Sequence, residues 1–145
     1  MSKNQLNQQE LHGLLPERED VQVYKDTFDL LVFVYQTTVC MKREHRFTLA
    51  EEMKRAVTDL LTCIYEAKKN ADFRVNMLDR AMHHTYRAKV LFRVMAELQL
   101  LKNWQMATYI ERLSTISKQL TAWQRYEKRK LKQQHDNDAQ SYGNA

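Results

Sequence analysis

The chain has 145 residues and a formal net charge of +5, with 43% hydrophobic residues, two cysteines, two glycines and one proline. That length supports one domain with a single core, and no stretch approaches the ~18 consecutive apolar residues of a membrane span. The polar start Ser2-Lys-Asn-Gln-Leu-Asn-Gln-Gln9 does not read as a signal peptide, so the expected location is the cytoplasm.

Between residues 21 and 132 there is neither glycine nor proline, the residues that punctuate turns and break helices. The body of the chain therefore reads as helical. A first helix is expected over residues 21–41, where Tyr24, Phe28, Leu31, Tyr35 and Thr38 recur at the spacing of one helical face. Leu30, Val32, Phe33 and Val34 are also apolar, so the middle of this helix is apolar nearly all round and is expected to be buried on a second side. In a small bundle that side should meet another copy of the chain, with Leu30, Val32, Phe33 and Val34 at the interface.

A short basic connection, Lys42-Arg-Glu-His-Arg46, precedes the second helix. Thr48 and Glu51 have the spacing of a capping box. Met53, Val57, Leu60, Leu61 and Ile64 form the expected buried stripe, and Lys68 and Lys69 sit near the end, where positive charge complements the helix dipole. Asn70-Ala71-Asp72 reads as a turn with Asp72 capping the third helix, expected over residues 73–101. Leu78, Ala81, Thr85, Ala88, Phe92 and Met95 line one face of it, Arg80, His84 and Arg87 one flank, and Lys89 and Arg93 the other. The fourth helix is expected from Asn103 to about residue 132, with a stripe running from Met106 through Tyr109, Ile110, Leu113, Ile116, Ser117 and Leu120 to Trp123. Beyond Trp123 charge replaces the apolar pattern, so the last turns should project from the body. Residues 1–20 and 133–145 are too polar to pack and are expected to be flexible or disordered. Four helices over 21–132 with short connections define an all-α, antiparallel up-down-up-down bundle.

Chemistry is hard to assemble from this chain. Phosphate-cradling loops need glycine, and Gly13 and Gly143 both lie outside the helical body. No glutamate has a histidine three residues on, which removes the di-iron pattern of helical bundles. Asp79 and His83 are one turn apart, but two ligands do not make a metal site, and a solvated flank explains them better. His83-His84 read as ordinary surface or boundary histidines beside a basic flank. Cys40 and Cys63 have no C-x-x-C spacing and read as reduced, largely buried thiols. The expectation is a protein that is not an enzyme and holds no cofactor or metal.

Charge points elsewhere. Residues 103–132 carry seven Lys/Arg against Glu111 and Glu127, a field suited to a polyanion. The expected nucleic-acid contacts are Arg80, His84 and Arg87 on the third helix and Arg125, Lys128, Arg129, Lys130 and Lys132 on the fourth. Tyr126 sits inside the basic run, placed for base stacking, with Trp104 a further aromatic at the start of the same helix. Trp104, Trp123 and Tyr109 read first as core or interface packing.

Tyr24-Lys-Asp-Thr-Phe-Asp-Leu-Leu31, then Arg46-Phe-Thr-Leu49, then Leu60-Leu-x-x-Ile-Tyr-Glu-Ala67, and later Leu91-Phe-Arg-Val-Met-Ala-Glu-Leu-Gln-Leu-Leu101 and Trp123, resemble a four-helix-bundle family. It comprises the accessory variability determinant (Avd) proteins of diversity-generating retroelements and proteins encoded in ribosomal-RNA intervening sequences. The resemblance covers about residues 23–130. Ala50 stands where a glycine commonly follows the Arg-Phe-Thr-Leu element, and Thr121-Ala122 where small residues precede the tryptophan. The resemblance implies a homopentameric barrel of basic protomers that binds the retroelement's reverse transcriptase and its structured RNA, or RNA/cDNA, leaving polymerase chemistry to the reverse transcriptase. The other reading is a self-assembling adaptor or structural protein of the intervening-sequence type that never meets nucleic acid.

Overall fold

The computed structural model describes residues 22–143, so the N-terminal segment 1–20 lies outside the described residues. Five α-helices follow in order: α1 (Gln22–Thr38), a single-turn α2 (Arg43–Arg46), α3 (Leu49–Lys69), α4 (Arg74–Glu97) and α5 (Asn103–Gly143), with a 3-10 turn Ala71–Phe73 between α3 and α4. Helix α1 packs on α3 and α5, and α4 packs on the same two. The four long helices therefore close an antiparallel bundle in which α1 and α4 stand diagonally opposed.

The core follows the apolar spacing. Met53, Val57, Leu60 and Ile64 of α3 are fully buried, as are Leu78 and Met95 of α4 and Tyr109, Ile116 and Leu120 of α5. Each such aliphatic side chain contributes about 1.5–3 kcal/mol of burial. Ala50 is fully buried too, so its methyl group is accommodated against the core.

Helix α1 buries three threonines, which is tolerable only because each hydroxyl finds a carbonyl one turn back. Thr27 donates to Val23 O (2.7 Å), Thr37 to Phe33 O (3.0 Å) and Thr38 to Val34 O (2.7 Å). Thr37 also meets the Tyr109 hydroxyl at 2.5 Å, tying α1 to α5. The β-branched run Thr37-Thr38-Val39 ends the helix before residue 41, and that early end leaves Cys40 exposed rather than buried. Met41 turns back into the core.

Three local features differ from expectation. The Thr48–Glu51 capping box does not form: α2 supplies a carbonyl four residues back, so the Thr48 hydroxyl donates to Glu44 O (2.6 Å) while Glu51 pairs with Lys54 (3.0 Å). At the next turn the cap is Asn70, whose side chain accepts from Asp72 N (3.3 Å), not Asp72. Helix α4 stops at Glu97 because Gln99 takes a left-handed conformation (φ 56°). Gln99 N then bonds Ala96 O and Leu100 N bonds Met95 O, both at 3.0 Å, the paired bonds of a Schellman stop built without glycine.

The largest difference is at the C-terminal end, where α5 continues through residues 133–143 to Gly143. No proline or glycine interrupts it, and Lys, Gln, Leu and Ala tolerate helical backbone well. Its 41 residues span about 61 Å.

Candidate nucleic-acid interface

Helix α5 leaves the bundle at a defined point. Glu127 is its last buried residue (8% exposed), and residues 128–143 are exposed throughout, an arm of about 24 Å. Glu127 is held by two partners at 3.4 Å, Arg74 Nη1 and the Trp123 indole N–H. The same guanidinium donates through Nε to Ala67 O (2.7 Å) and through Nη2 to Lys68 O (3.1 Å). These carbonyls belong to the last turn of α3, which has no intrahelical donors of its own. One arginine thus joins the end of α3, the start of α4 and the exit of α5.

Around and beyond this clamp the cations sort by helical angle. At 100° per residue, Arg125, Lys128, Arg129 and Lys132 fall within an arc of about 100°, and all four are exposed. Lys128 leans on Asp79 of α4 (3.5 Å), which also accepts from Gln124. Asp79 is therefore engaged across the helix interface. Among the described residues no group of three or more His, Cys, Asp or Glu side chains could hold a metal ion. Lys130 lies off the arc, its ammonium 5.6 Å from the centre of the half-exposed Tyr126 ring.

The three α4 candidates are not brought together with the arm. Arg87 faces α3, where it pairs with Asp59 (3.1 Å) and Glu52 (3.7 Å), and it also reaches His84 Nδ1 (3.3 Å). It is an internal tie between helices. Burial lowers the His84 pKa, with Arg87 and His83 acting in the same direction against Asp59, so near neutral pH its ring brings no charge to a phosphate. Arg80 is exposed and has no ion-pair partner among the described residues, but it lies on the α3 side of α4.

The expected oligomer contacts need correction. Leu30 and Val34 are fully buried and Phe33 is 5% exposed, all within the protomer's own core. Phe33 packs on Tyr109 (4.9 Å between ring centres), which stacks on Phe92 (5.4 Å). Burial in this cluster pushes the Tyr109 hydroxyl pKa up to about 12. A greasy α1 is thus mostly absorbed by its own bundle. Of the four residues only Val32 is exposed, and it continues into Tyr35 and Val39 on the same outer face. The sequence reading missed a matching stripe, Tyr86, Val90, Val94 and Leu98, on the outside of α4. Its four-residue spacing is visible in the sequence, but it runs beside the stronger apolar stripe Leu78–Ala81–Thr85–Ala88–Met95 on the same helix. In the sequence Lys42–Arg46 reads only as a basic connection, with no site at the adjoining Phe47.

A cleft of about 410 Å³ between α4 and α5 is lined by Lys89, Phe92, Ile110, Leu113, Ser114, Ser117 and Lys118. It offers no carboxylate, imidazole or thiol for acid–base chemistry. No helix among the described residues is long and apolar enough to cross a membrane.

The described residues define an all-α, four-helix-bundle class of protein, with a cationic helical arm and apolar stripes on two opposed faces. Within it, the chain belongs to the bAvd-like family, whose model matches residues 22–127. No curated protein matches the chain. The family match ends at Glu127, the residue at which α5 leaves the bundle, so the arm's cations lie almost wholly outside it.

Proposed function

We propose that this protein is a non-catalytic accessory subunit of a diversity-generating retroelement, which binds the reverse transcriptase and its structured RNA and supports mutagenic cDNA synthesis. The observation that carries the reading is membership of the bAvd-like family over the whole bundle. The cationic arc supports the RNA part, because Arg129 and Lys132, exposed beyond the core and without an ion pair among the described residues, suit phosphates, while Lys128 is also tied to Asp79.

The two apolar stripes support self-association. Because α1 and α4 are diagonal, the stripes Val32–Tyr35–Val39 and Tyr86–Val90–Val94–Leu98 look away from each other. A contact between two different faces is heterologous, and heterologous contacts that close produce rings. A homopentamer is the ring the family resemblance implies, and it repeats each arm around one axis, so that weak single contacts add as avidity.

The test is filter binding of a long structured RNA across a salt series, with protein mass from light scattering. Replacing Arg125, Lys128, Arg129, Lys130 and Lys132 by Gln should leave the oligomer intact. Five phosphate contacts give a salt slope near −4, so wild-type affinity should fall by roughly 100–500-fold between 50 and 200 mM salt, and the variant should lose most of that slope. Unchanged affinity and slope in the variant would remove the arm from the interface. The second reading, a self-assembling adaptor that never meets nucleic acid, draws on the same two stripes; it predicts an oligomer with no RNA binding even at low salt.

A further inference from the structure

The single-turn helix α2 sits at the opposite end of the bundle from the arm. It is separated from the arm's exit by the length of α3, 21 residues or about 31 Å. Three cations, Lys42, Arg43 and Arg46, crowd into this turn against one carboxylate, and Glu44 is turned to His45 (3.4 Å). Phe47 follows directly and stands 61% exposed. The backbone holds it there: Phe47 N donates to Arg43 O (3.2 Å), Thr48 is anchored to Glu44 O, and Met41 has already filled the core at this end. Two guanidiniums attend the ring, Arg46 at 5.3 Å and Arg43 at 5.8 Å from its centre. Lys42, Arg43, Glu44, Phe47 and Thr48 line an open depression of about 590 Å³.

A single exposed apolar residue needs no explanation, but an exposed ring flanked by arginines on a net-cationic turn is a different arrangement. Its charge repels cationic and favours anionic partners, and its flat face accepts another π-system. Only one common class of ligand offers both a polyanionic backbone and unpaired aromatic faces. We propose that Phe47, with Arg43 and Arg46, forms a stacking site for one unpaired nucleobase of a single-stranded nucleic acid, distinct from the arm. The guanidinium contact in the free protein does not block it. An exposed cation–π contact is worth roughly a factor of 2–5 in an equilibrium constant. Base–aromatic stacking is worth roughly 5- to 140-fold. An incoming base therefore displaces the guanidinium, which is released to the adjoining phosphate.

The test uses the full chain and a uridine-rich single-stranded RNA 12-mer with one 2-aminopurine, alongside a blunt RNA duplex of equal length. Phe47→Ala and Phe47→Leu should weaken single-strand binding roughly 5- to 140-fold, with an unchanged salt slope because no charge is removed. Phe47→Trp should retain both affinity and 2-aminopurine quenching, and duplex binding should not respond. The factor lost with Phe47→Ala should be the same when the five arm cations are already Gln, so failure of the arm reading and failure of this one give different results. Wild-type affinity in Phe47→Ala, full affinity in Phe47→Leu, or an equal loss on duplex would each overturn the site. So would an Asp/Glu-rich peptide that binds as tightly as the RNA and is equally sensitive to Phe47→Ala, since that would make the partner a protein.

Discussion

Removing the guanidinium of Arg74 tests how the bundle's arm-bearing end is held together. Arg74→Ala deletes the donors to Ala67 O, Lys68 O and Glu127 Oε1 and leaves the Glu127 carboxylate 8% exposed beside an indole N–H. Removing one partner of a buried ion pair costs about 3–5 kcal/mol. Here the Arg74 side chain keeps 21% of its exposure and water can reach the freed carbonyls, so the expected loss is about 2–4 kcal/mol. For a chain of this size that lowers Tm by about 5–15 °C, measured by circular dichroism at 222 nm. Arg74→Lys should recover less than half of it, because an ammonium lacks the planar fork that reaches three acceptors at once. The double variant Arg74→Met/Glu127→Leu should be more stable than Arg74→Ala alone, since it leaves no stranded charge. A loss below about 0.5 kcal/mol in Arg74→Ala, or a double variant less stable than the single one, would refute the clamp.

Four other outcomes follow from single features. Gln99→Gly relieves a left-handed residue and should raise stability by about 0.5–1 kcal/mol, seen as a higher denaturation midpoint at unchanged m-value. His84 has a lowered pKa in the fold, so the unfolded chain takes up its proton first as pH drops. Stability that His84 contributes is complete above its ordinary value of 6.5 and is lost on acidification, so thermal melts at pH 7.5 and 5.5 should differ less in His84→Gln than in the wild type. Burial raises the Cys63 pKa while Cys40 is exposed, and peptide mapping after brief iodoacetamide treatment should find Cys40 alkylated well before Cys63. Under the proposed ring, Val32→Asp and Val94→Asp should each abolish closure, and a mixture of the two should form a closed-ended heterodimer by light scattering, because each retains one good face; two species that stay monomeric when mixed would count against heterologous packing.

Helix existence was legible because it rests on period and on the absence of breakers. Met53, Val57, Leu60 and Ile64 repeat too regularly for a strand, and all four are buried. The ends of helices were less legible because several bonding solutions compete there. Thr48 had a glutamate three residues on, but α2 offered a nearer carbonyl, and nothing in the Thr48–Glu51 pair announces that extra turn. Gln99 stops α4 in a conformation that sequence reading assigns to glycine. The misassigned interface has a plainer cause: Leu30, Phe33 and Val34 are apolar in a way that identifies burial, and composition cannot distinguish burial in one's own bundle from burial against a neighbour. Among the cations, Arg87 looked like Arg125 until Asp59 and Glu52 came within reach from a helix some 30 residues away in the chain.

The length of α5 connects these pieces. Its first part is locked into the core by Tyr109, Ile116 and Leu120, and the same uninterrupted helix carries Arg125 at the edge of the core and Lys128 to Lys132 beyond it. With no glycine or proline between Asn103 and Tyr142, there is no built-in hinge at Glu127, and the Arg74 clamp fixes the exit on a second side. A cation on a stiff arm has its position set by the bundle, whereas the same residue on a flexible tail would lose binding energy to ordering. Within the proposed ring, the arms then present cationic arcs at fixed spacing, and the α2 turns present their rings at the other end of each protomer. A folded RNA with a single-stranded segment could meet both, with duplex phosphates against the arms and an unpaired base on Phe47. Under the proposed function, stiffening one end by the clamp and exposing one aromatic at the other serve the same task, holding an RNA in register while another protein copies it.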